Sequence, residues 1–141
     1  MNGDVTFGFV CVRNAGRSQM SAAFARRERE RRGLSDEVDV RTGGTSPAEA
    51  VHPAVVEVMR EVDVDVADRE PREVSTAELN DCDVVATMGC STLELDADTD
   101  VRDWDLEDPQ GKDVETVRAV RDEVERRVVD LFDRRFDAED D

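Results

Sequence analysis

Histidine occurs once in this chain of 141 residues, as His52, and cysteine occurs three times. Histidine is the commonest metal ligand, so a metal site would have to be built without its usual partners. The cysteines are odd in number and form no C-x-x-C pair, which argues against both a disulfide framework and a zinc site. We therefore expect no bound metal and three free thiols, either reactive or buried.

Long apolar runs and basic residues are also scarce. No stretch of about 18 apolar residues exists, so we expect no membrane span. The first residues do not resemble a signal peptide, which predicts a cytoplasmic protein. Lysine and arginine together number 19 against 36 acidic residues, a net charge of −17. A field of that sign repels nucleic acid and anionic membranes, so neither is expected as a partner.

The basic residues themselves are skewed, because Lys112 is the one lysine beside eighteen arginines. Aspartate outnumbers glutamate as well. This skew resembles that of proteins from a salt-rich cytoplasm, where high ionic strength screens the repulsion between acidic side chains. The composition therefore predicts a halophilic protein.

The length and the apolar patterns predict one α/β domain. Apolar or alternating runs indicate four strands, and apolar stripes at helical spacing indicate the helices between them. The strands are expected at 5–12, 38–42, 83–88 and 101–106, and the helices at 19–32, from 53 onward, at 76–81 and at 114–136. This order predicts a three-layer α/β/α fold with a four-stranded parallel sheet. We expect residues 1–136 to form a single domain and residues 137–141 an acidic tail.

Cys11 lies where the first strand turns into the first helix, with Arg17 six residues later. Backbone N–H groups in such a turn lack helical acceptors and can converge on an oxyanion. The same groups and Arg17 would stabilise a thiolate. A nucleophile and an oxyanion site would then share one pocket, although a buried cysteine in an ordinary turn fits the bare spacing too. The predicted oxyanion-binding residues are Val12, Arg13, Asn14, Ala15, Gly16, Arg17 and Ser18.

Within this loop, Asn14 and Gly16 suit left-handed or crowded backbone conformations. Ser18 can either cap the helix or donate its hydroxyl to the sulfur. Both roles remain open from the sequence.

Four further residues lie next to predicted strands or helices. Cys90 comes after the third strand, which predicts a position at the same sheet edge as Cys11. Asp108, next to Pro109, can fold over this edge and act as a general acid, although an Asp-Pro pair alone is a turn signal. His52 is interpreted as a helix-start residue. Cys82 precedes the third strand, so it is expected at the opposite edge as a small buried residue.

The stretch from Cys11 to Met20 resembles the phosphate-binding loop of low-molecular-weight protein tyrosine phosphatases and of the arsenate reductases built on that fold. Further matches favour the reductases, occur in the family's order and extend the resemblance over residues 5–132. They are Gly43-Gly44-Thr45, Val51-His52-Pro53, Thr87-Met88-Gly89-Cys90 and Trp104-Asp105-Leu106-Glu107-Asp108-Pro109. The resemblance implies the strand order 2-1-3-4.

The resemblance further implies thiol-dependent reduction of arsenate to arsenite. Cys11 would carry the arsenic adduct, Asp108 would supply the proton, and a second thiol would resolve the adduct. No bound cofactor is implied, but an external thioredoxin-like or low-molecular-weight thiol is needed. Members linked to thioredoxin carry one more cysteine, which residues 91–95 lack. Either Cys11 and Cys90 therefore form the disulfide directly, or a small thiol resolves the adduct.

Two other functions fit the same loop. A phosphatase would hydrolyse a phosphocysteine with water activated by Asp108. The paired tyrosines of several eukaryotic phosphatases are absent, because the chain has no tyrosine. A non-catalytic module would bind oxyanions or sense thiol oxidation without turnover.

Overall fold

A four-stranded parallel sheet forms the centre of the protein, in a computed structural model that describes residues 5–11, 13–34, 36–44, 46–88, 100–104, 106 and 112–136. Its strands are β1 (Val5–Cys11), β2 (Val38–Gly44), β3 (Val84–Met88) and β4 (Asp100–Asp103). They lie in the order β2-β1-β3-β4, all parallel. The predicted parallel sheet and its strand order are confirmed.

Helices cover both faces of this sheet. They are α1 (Arg17–Arg31), α2 (Pro53–Arg60), α3 (Thr76–Asn80) and α4 (Val114–Phe136). Successive side chains of β1 point to opposite faces, as a strand requires. Phe7 and Phe9 enter the main core with α1, α2 and α4, whereas Val10 enters a smaller core with Leu79 of α3. The result is the predicted three-layer arrangement.

The apolar stripes predicted from the sequence make the helix contacts. In α1, Met20 and Phe24 are buried, and Gly33 adopts the left-handed φ of 70° just beyond the C-cap residue. Glycine adopts that conformation without steric cost, so it ends the helix. The stripe of α4 is also buried, and its members are Val117, Val120, Val124, Val128 and Leu131.

The boundaries differ from the sequence predictions by one to three residues at several ends. β4 ends at Asp103, whereas the alternation predicted a strand to residue 106. α1 begins at Arg17, two residues before the predicted start. The proposed acidic tail at 137–141 lies outside the described residues.

The carboxyl ends of three strands meet around Cys11. This residue pairs with Gly44 of β2 on one side and with Met88 of β3 on the other. The segment 72–74 then continues the sheet beyond β2, since the Gly44 N–H donates to the Arg72 carbonyl and the Val74 N–H to the Gly44 carbonyl. A side chain at Gly43 would approach the Val74 Cβ to 2.5 Å, so this close pairing requires glycine.

Among the described residues, none of the helices has both the length and the apolar character needed to cross a membrane.

Candidate active site

Two hydrogen-bonding groups surround the sulfur of Cys11 at the end of β1. The residue is buried, and its Sγ lies 2.9 Å from Ser18 Oγ. The Asn14 N–H donates to the same Sγ at 3.2 Å. Hydrogen-bond donors aimed at a sulfur stabilise its thiolate form. The local geometry therefore suits a nucleophilic thiol.

The structure decides between the two roles predicted for Ser18. Gly16 is the N-cap residue of α1, and no side chain caps the helix. Ser18 lies inside the first helical turn, where its hydroxyl contacts the Cys11 sulfur instead. The capping role is therefore wrong, and the contact with sulfur is present.

Asn14 holds the loop in its strained conformation. Its φ of 53° is in the left-handed region, as predicted, and the residue is fully buried. Asparagine adopts this conformation more readily than most residues because its amide bonds locally. Gly16, by contrast, has a φ of −141°, so its place in the loop does not depend on the left-handed region.

The buried amide of Asn14 uses its full hydrogen-bonding capacity. Its Nδ2 donates to Ser18 Oγ at 2.7 Å and to Thr42 Oγ1 at 3.0 Å. Its Oδ1 accepts from Gln19 Nε2 at 3.1 Å and from the Arg72 N–H at 3.0 Å. This network ties the loop to α1, to β2 and to the segment that follows α2.

Sequence reasoning did not find Thr42 and Arg72 as parts of this site. Thr42 is buried at the carboxyl end of β2, and its hydroxyl donates to the Phe9 carbonyl at 2.8 Å. A polar residue at an inward position near the end of a buried strand was the available signal. Arg72 lies in a charged connection that had no pattern pointing to the loop.

The N-terminus of α1 has no side-chain cap. The first N–H groups of an α-helix have no acceptor within the helix, and the helix dipole favours negative charge there. The first turn of α1 contains no acidic residue that would compete for this position. Of the predicted oxyanion-binding residues, Asn14, Ala15, Gly16 and Ser18 are buried and Arg13 is exposed, while Val12 lies outside the described residues.

Arg17 connects the loop to the chain that follows β4. Its guanidinium Nη1 donates to the Leu106 carbonyl at 3.1 Å. Trp104 lies two residues before Leu106. Its backbone N–H donates to the Thr87 carbonyl at 2.8 Å, and its ring packs on Phe9. The chain that leads towards Asp108 therefore passes beside Arg17. Asp108 itself lies outside the described residues, so its role as acid stays a prediction.

Cys11 and Cys82 lie near opposite ends of β3. Met88, the last described residue of this strand, pairs with Cys11, and Cys90 follows two residues later, outside the described residues. Cys82 precedes the strand at the opposite end, where its Sγ donates weakly to the Glu78 carbonyl at 3.6 Å. Burial raises the pKa of the Cys82 thiol to about 11. Cys82 is therefore a poor nucleophile, in agreement with its interpretation as a buried apolar residue.

The segment 48–52 is hydrogen-bonded to the backbone of the Cys11 loop. The Ala48 N–H donates to the Arg13 carbonyl at 2.9 Å, and the His52 N–H donates to the Ala15 carbonyl at 3.0 Å. His52 is also the N-cap residue of α2, which confirms its interpretation as a helix-start residue. Within the described part of the chain, no three histidine, cysteine or acidic side chains come together as a metal site would require.

These features together provide a cysteine sulfur with two hydrogen-bonding neighbours, a helix N-terminus without a side-chain cap and an arginine on one sheet edge. Such a site can bind a tetrahedral oxyanion and attack its central atom. A leaving oxygen would still need a proton donor.

Two known proteins have sequences similar to that of this chain. The chain is 67% identical over 136 residues to a Halobacterium salinarum protein provisionally named arsenate reductase, covering 94% of this chain and 96% of that protein. It is 33% identical over 128 residues to the glutaredoxin arsenate reductase of Synechocystis, covering 88% and 93%.

Solved structures of similar proteins have the same fold as this chain. The thioredoxin-dependent arsenate reductase of Corynebacterium glutamicum superposes with a TM-score of 0.79 at 30% identity, over 95% of this chain and 63% of that protein. An arsenate reductase in its phosphate-binding state gives a TM-score of 0.78 at 30% identity, over 92% and 98%. The low-molecular-weight phosphatase of T. tengcongensis shares the fold with a TM-score of 0.81 at 19% identity, over 93% and 99%.

The family model for low-molecular-weight phosphotyrosine protein phosphatases matches residues 6–140, nearly the whole chain. Its match spans the Cys11 loop and the described strands and helices, apart from the first residue of β1. This chain therefore belongs to the low-molecular-weight phosphotyrosine protein phosphatase family.

Proposed function

We propose that this protein reduces arsenate to arsenite, with the Cys11 thiolate as the nucleophile. The observation that carries the proposal is the geometry at the sulfur, where the Ser18 hydroxyl and the Asn14 N–H both contact Sγ beside an uncapped helix N-terminus. The relatives at 67% and 33% identity are named as arsenate reductases, which supports arsenate as the oxyanion.

The proposed reaction begins when the thiolate attacks the arsenic atom. A Cys11 sulfur–arsenic bond forms, and one hydroxyl group of the protonated arsenate accepts a proton and leaves as water. We assign Asp108 as the donor of that proton and Arg17 with the loop amides as the groups that stabilise the developing negative charge. The oxyanion-binding residues are those of the loop, 12–18.

The second step removes the arsenic from the sulfur. Another thiolate attacks Cys11 Sγ, so that a disulfide forms and the electron pair of the sulfur–arsenic bond passes to arsenic. Arsenic(V) thus becomes arsenic(III), and two thiols become one disulfide, which balances the two electrons. An external thiol then restores the reduced enzyme. We propose that no bound cofactor takes part.

We propose Cys90 as the internal thiol of this step. The register between β1 and β3 supports it, because Cys11 pairs with the last described residue of β3 and Cys90 follows two positions later. Cys82 is unsuitable, since it is buried at the opposite end of β3 with its pKa raised to about 11. The alternative is direct resolution by a small external thiol.

The external reductant is proposed to be a thioredoxin-type protein or a low-molecular-weight thiol. Relatives named for glutaredoxin and for thioredoxin dependence support a dithiol partner. This chemistry needs reduced thiols, which the cytoplasm maintains, so the proposal includes a cytoplasmic location. Neither nucleic acid nor a membrane surface is expected to bind a protein with a net charge of −17.

The second candidate function is hydrolysis of phosphomonoesters through a phosphocysteine. The match to the phosphotyrosine phosphatase family model favours it, because the same loop can hold a phosphate ester. Water would then take the place of the second thiol. A non-catalytic oxyanion-binding or thiol-sensing module is the third candidate, and the absence of any turnover would identify it.

A parallel assay separates these functions. Arsenite release and aryl-phosphate hydrolysis are measured in high salt with a thioredoxin-type dithiol protein and with a low-molecular-weight thiol. The proposal expects arsenite with at least one donor, at a rate that exceeds aryl-phosphate hydrolysis. Hydrolysis without arsenite would establish the phosphatase, and neither product would establish the binding module.

A further inference from the structure

Arg72 lies on a segment that pairs with the end of β2 and reaches the Cys11 loop. We propose that Arg72 is a positioning residue for Cys11, because its backbone N–H orients the Asn14 amide and thereby directs the Ser18 hydroxyl towards the sulfur. The inference rests on the proposed role of Cys11 as the nucleophile.

The orientation follows from the chemistry of the hydrogen-bonding groups. A backbone N–H can only donate, so the atom of Asn14 that faces the Arg72 N–H at 3.0 Å must be the carbonyl oxygen Oδ1. The amide nitrogen Nδ2 must then face Ser18 Oγ, at 2.7 Å. Since this oxygen accepts a hydrogen bond from Asn14, its own hydrogen is available for the Cys11 sulfur at 2.9 Å.

The side chain of Arg72 holds its backbone in the required place. Its Nη1 donates to the Thr42 carbonyl at 3.0 Å, and its Nη2 forms an ion pair with Glu78 Oε2 at 2.7 Å. Glu78 is itself fixed by the capping box of α3, in which it exchanges hydrogen bonds with Ser75. A planar guanidinium can bind both acceptors at once, one on β2 and one on α3.

Arg41 offers a matched control. Its Nη1 donates to the Glu78 carbonyl at 2.9 Å, so it also joins β2 to α3. Among the described residues, its hydrogen bonds and ion pairs join it to Glu78 and Asp39 and not to the loop. Removal of Arg41 therefore weakens the same strand–helix contact and leaves the Asn14 amide in place.

The test measures the rate at which iodoacetamide alkylates Cys11, followed on the Cys11 peptide by mass spectrometry. This reading does not depend on arsenate turnover, so it remains valid if the proposed function fails. At about pH 6, we expect Arg72→Ala to lower the rate about three- to tenfold, the effect of weakening one hydrogen bond to a charged group. The rates of the parent and the variant are compared over a series of pH values.

Two further variants complete the test. Arg72→Lys should recover part of the rate, since an ammonium can still pair with Glu78, and Arg41→Ala should alkylate at the parent rate. The proposal is overturned if Arg72→Ala matches the parent at every pH. It is equally overturned if Arg72→Ala and Arg41→Ala lower the rate by the same factor, because the effect would then be a general loss of structure. If Arg72→Ala does not fold, Arg72→Lys is compared with the parent instead, and equal alkylation rates at every pH would then overturn the proposal.

Discussion

Cys11 and Cys82 show how their surroundings set the chemistry of two buried thiols. The sulfur of Cys11 contacts the Ser18 hydroxyl and the Asn14 N–H at the end of β1. The sulfur of Cys82 is packed against Gly8 and Leu79, where burial raises its pKa to about 11. Desolvation penalises a thiolate, whereas hydrogen-bond donors stabilise it. Position in the fold therefore separates a candidate nucleophile from an inert residue.

Arg17→Lys is expected to lower turnover strongly. An ammonium group cannot direct two parallel N–H donors at one oxyanion, and it cannot simultaneously keep the guanidinium contact to the Leu106 carbonyl. We expect a loss of roughly 10²-fold or more in kcat/KM for arsenate, in the range found when one oxyanion donor is removed. Arg31→Lys, an exposed exchange at the end of the same helix, is the control. Equal rates for parent and Arg17→Lys would refute the bidentate role.

Cys90→Ser is expected to block arsenate reduction when no external thiol can resolve the adduct. Hydrolysis of a phosphate ester should persist in this variant, since hydrolysis needs water and no second thiol. Cys82→Ser, at the opposite end of β3, should change neither activity. If Cys90→Ser reduces arsenate at the parent rate with a low-molecular-weight thiol, resolution belongs to that thiol and the internal relay is wrong.

The sequence predicted the residues of the loop better than those that support it. Cys11, Asn14 and Ser18 lie in one short motif whose strand-to-helix position is visible in the apolar pattern. Thr42 and Arg72 come from distant parts of the chain, and tertiary packing alone brings them to Asn14. Local patterns carry no information about such contacts, so the supporting network could not be derived from spacing.

At the scale of elements, hydrophobic periodicity predicted the strands and helices to within a few residues. β1 and β3 are continuous apolar runs because both lie in the middle of the sheet with both faces covered. The start of α1 was less visible, since its N-cap residue is Gly16, which has no capping side chain, and the Ser18 hydroxyl contacts the Cys11 sulfur. A capping side chain, the usual sequence signal of a helix start, is therefore absent at α1.

Glu61→Gln is expected to destabilise the packing of α2 on α4. Glu61 follows the last residue of α2 and pairs with Arg118 and Arg121 of α4. Hydrogen bonds from Arg118, and then from Arg121, lower its pKa to about 2 from the ordinary 4.5. Thermal unfolding at neutral pH should show a lower midpoint for the variant.

The stability difference between the parent and Glu61→Gln should depend on pH because the pKa of Glu61 is lowered. A carboxylate with a lowered pKa contributes stability that is complete above its unfolded pKa of 4.5 and is lost as the pH falls through about 2. The difference between parent and Glu61→Gln should therefore close as the pH falls from about 5 to 2. Glu123→Gln is the control for the contact between α2 and α4 and should lower the midpoint less at neutral pH, because Glu123 pairs with Arg126 and Arg127 of its own helix. A gap that does not change with pH would contradict the assignment.

At the scale of the whole molecule, the net charge of −17 opposes compactness. Arginines offset part of this repulsion at helix contacts, where Arg27 pairs with Glu125 and Arg32 with Glu28 and Asp133. The predicted salt-rich setting agrees with the relative from Halobacterium salinarum. Salt should stabilise this protein, because screening weakens the repulsion between exposed acids more than it weakens half-buried pairs.

The thermal midpoint should accordingly rise between about 0.1 M and 2 M KCl, as the screening length falls from about 10 Å to below about 3 Å. We expect a rise of at least about 5 °C, which corresponds to roughly 1–2 kcal/mol in a domain of this size. A variant with four exposed carboxylates neutralised should show a smaller rise; these are Glu49, Glu57, Asp68 and Glu70. A midpoint that is independent of salt in the parent would disprove this electrostatic explanation.

The arsenite released per enzyme molecule in a single turnover with reduced protein, arsenate and a thiol donor tests the role of Cys11 in arsenate reduction. The parent and Cys82→Ser should each release close to one equivalent of arsenite, and Cys11→Ser should release none, because a serine hydroxyl in the loop stays un-ionised. Arsenite released by Cys11→Ser at the parent rate would remove Cys11 from the mechanism. Aryl-phosphate hydrolysis by the parent without arsenite from either type of donor would contradict arsenate reduction itself.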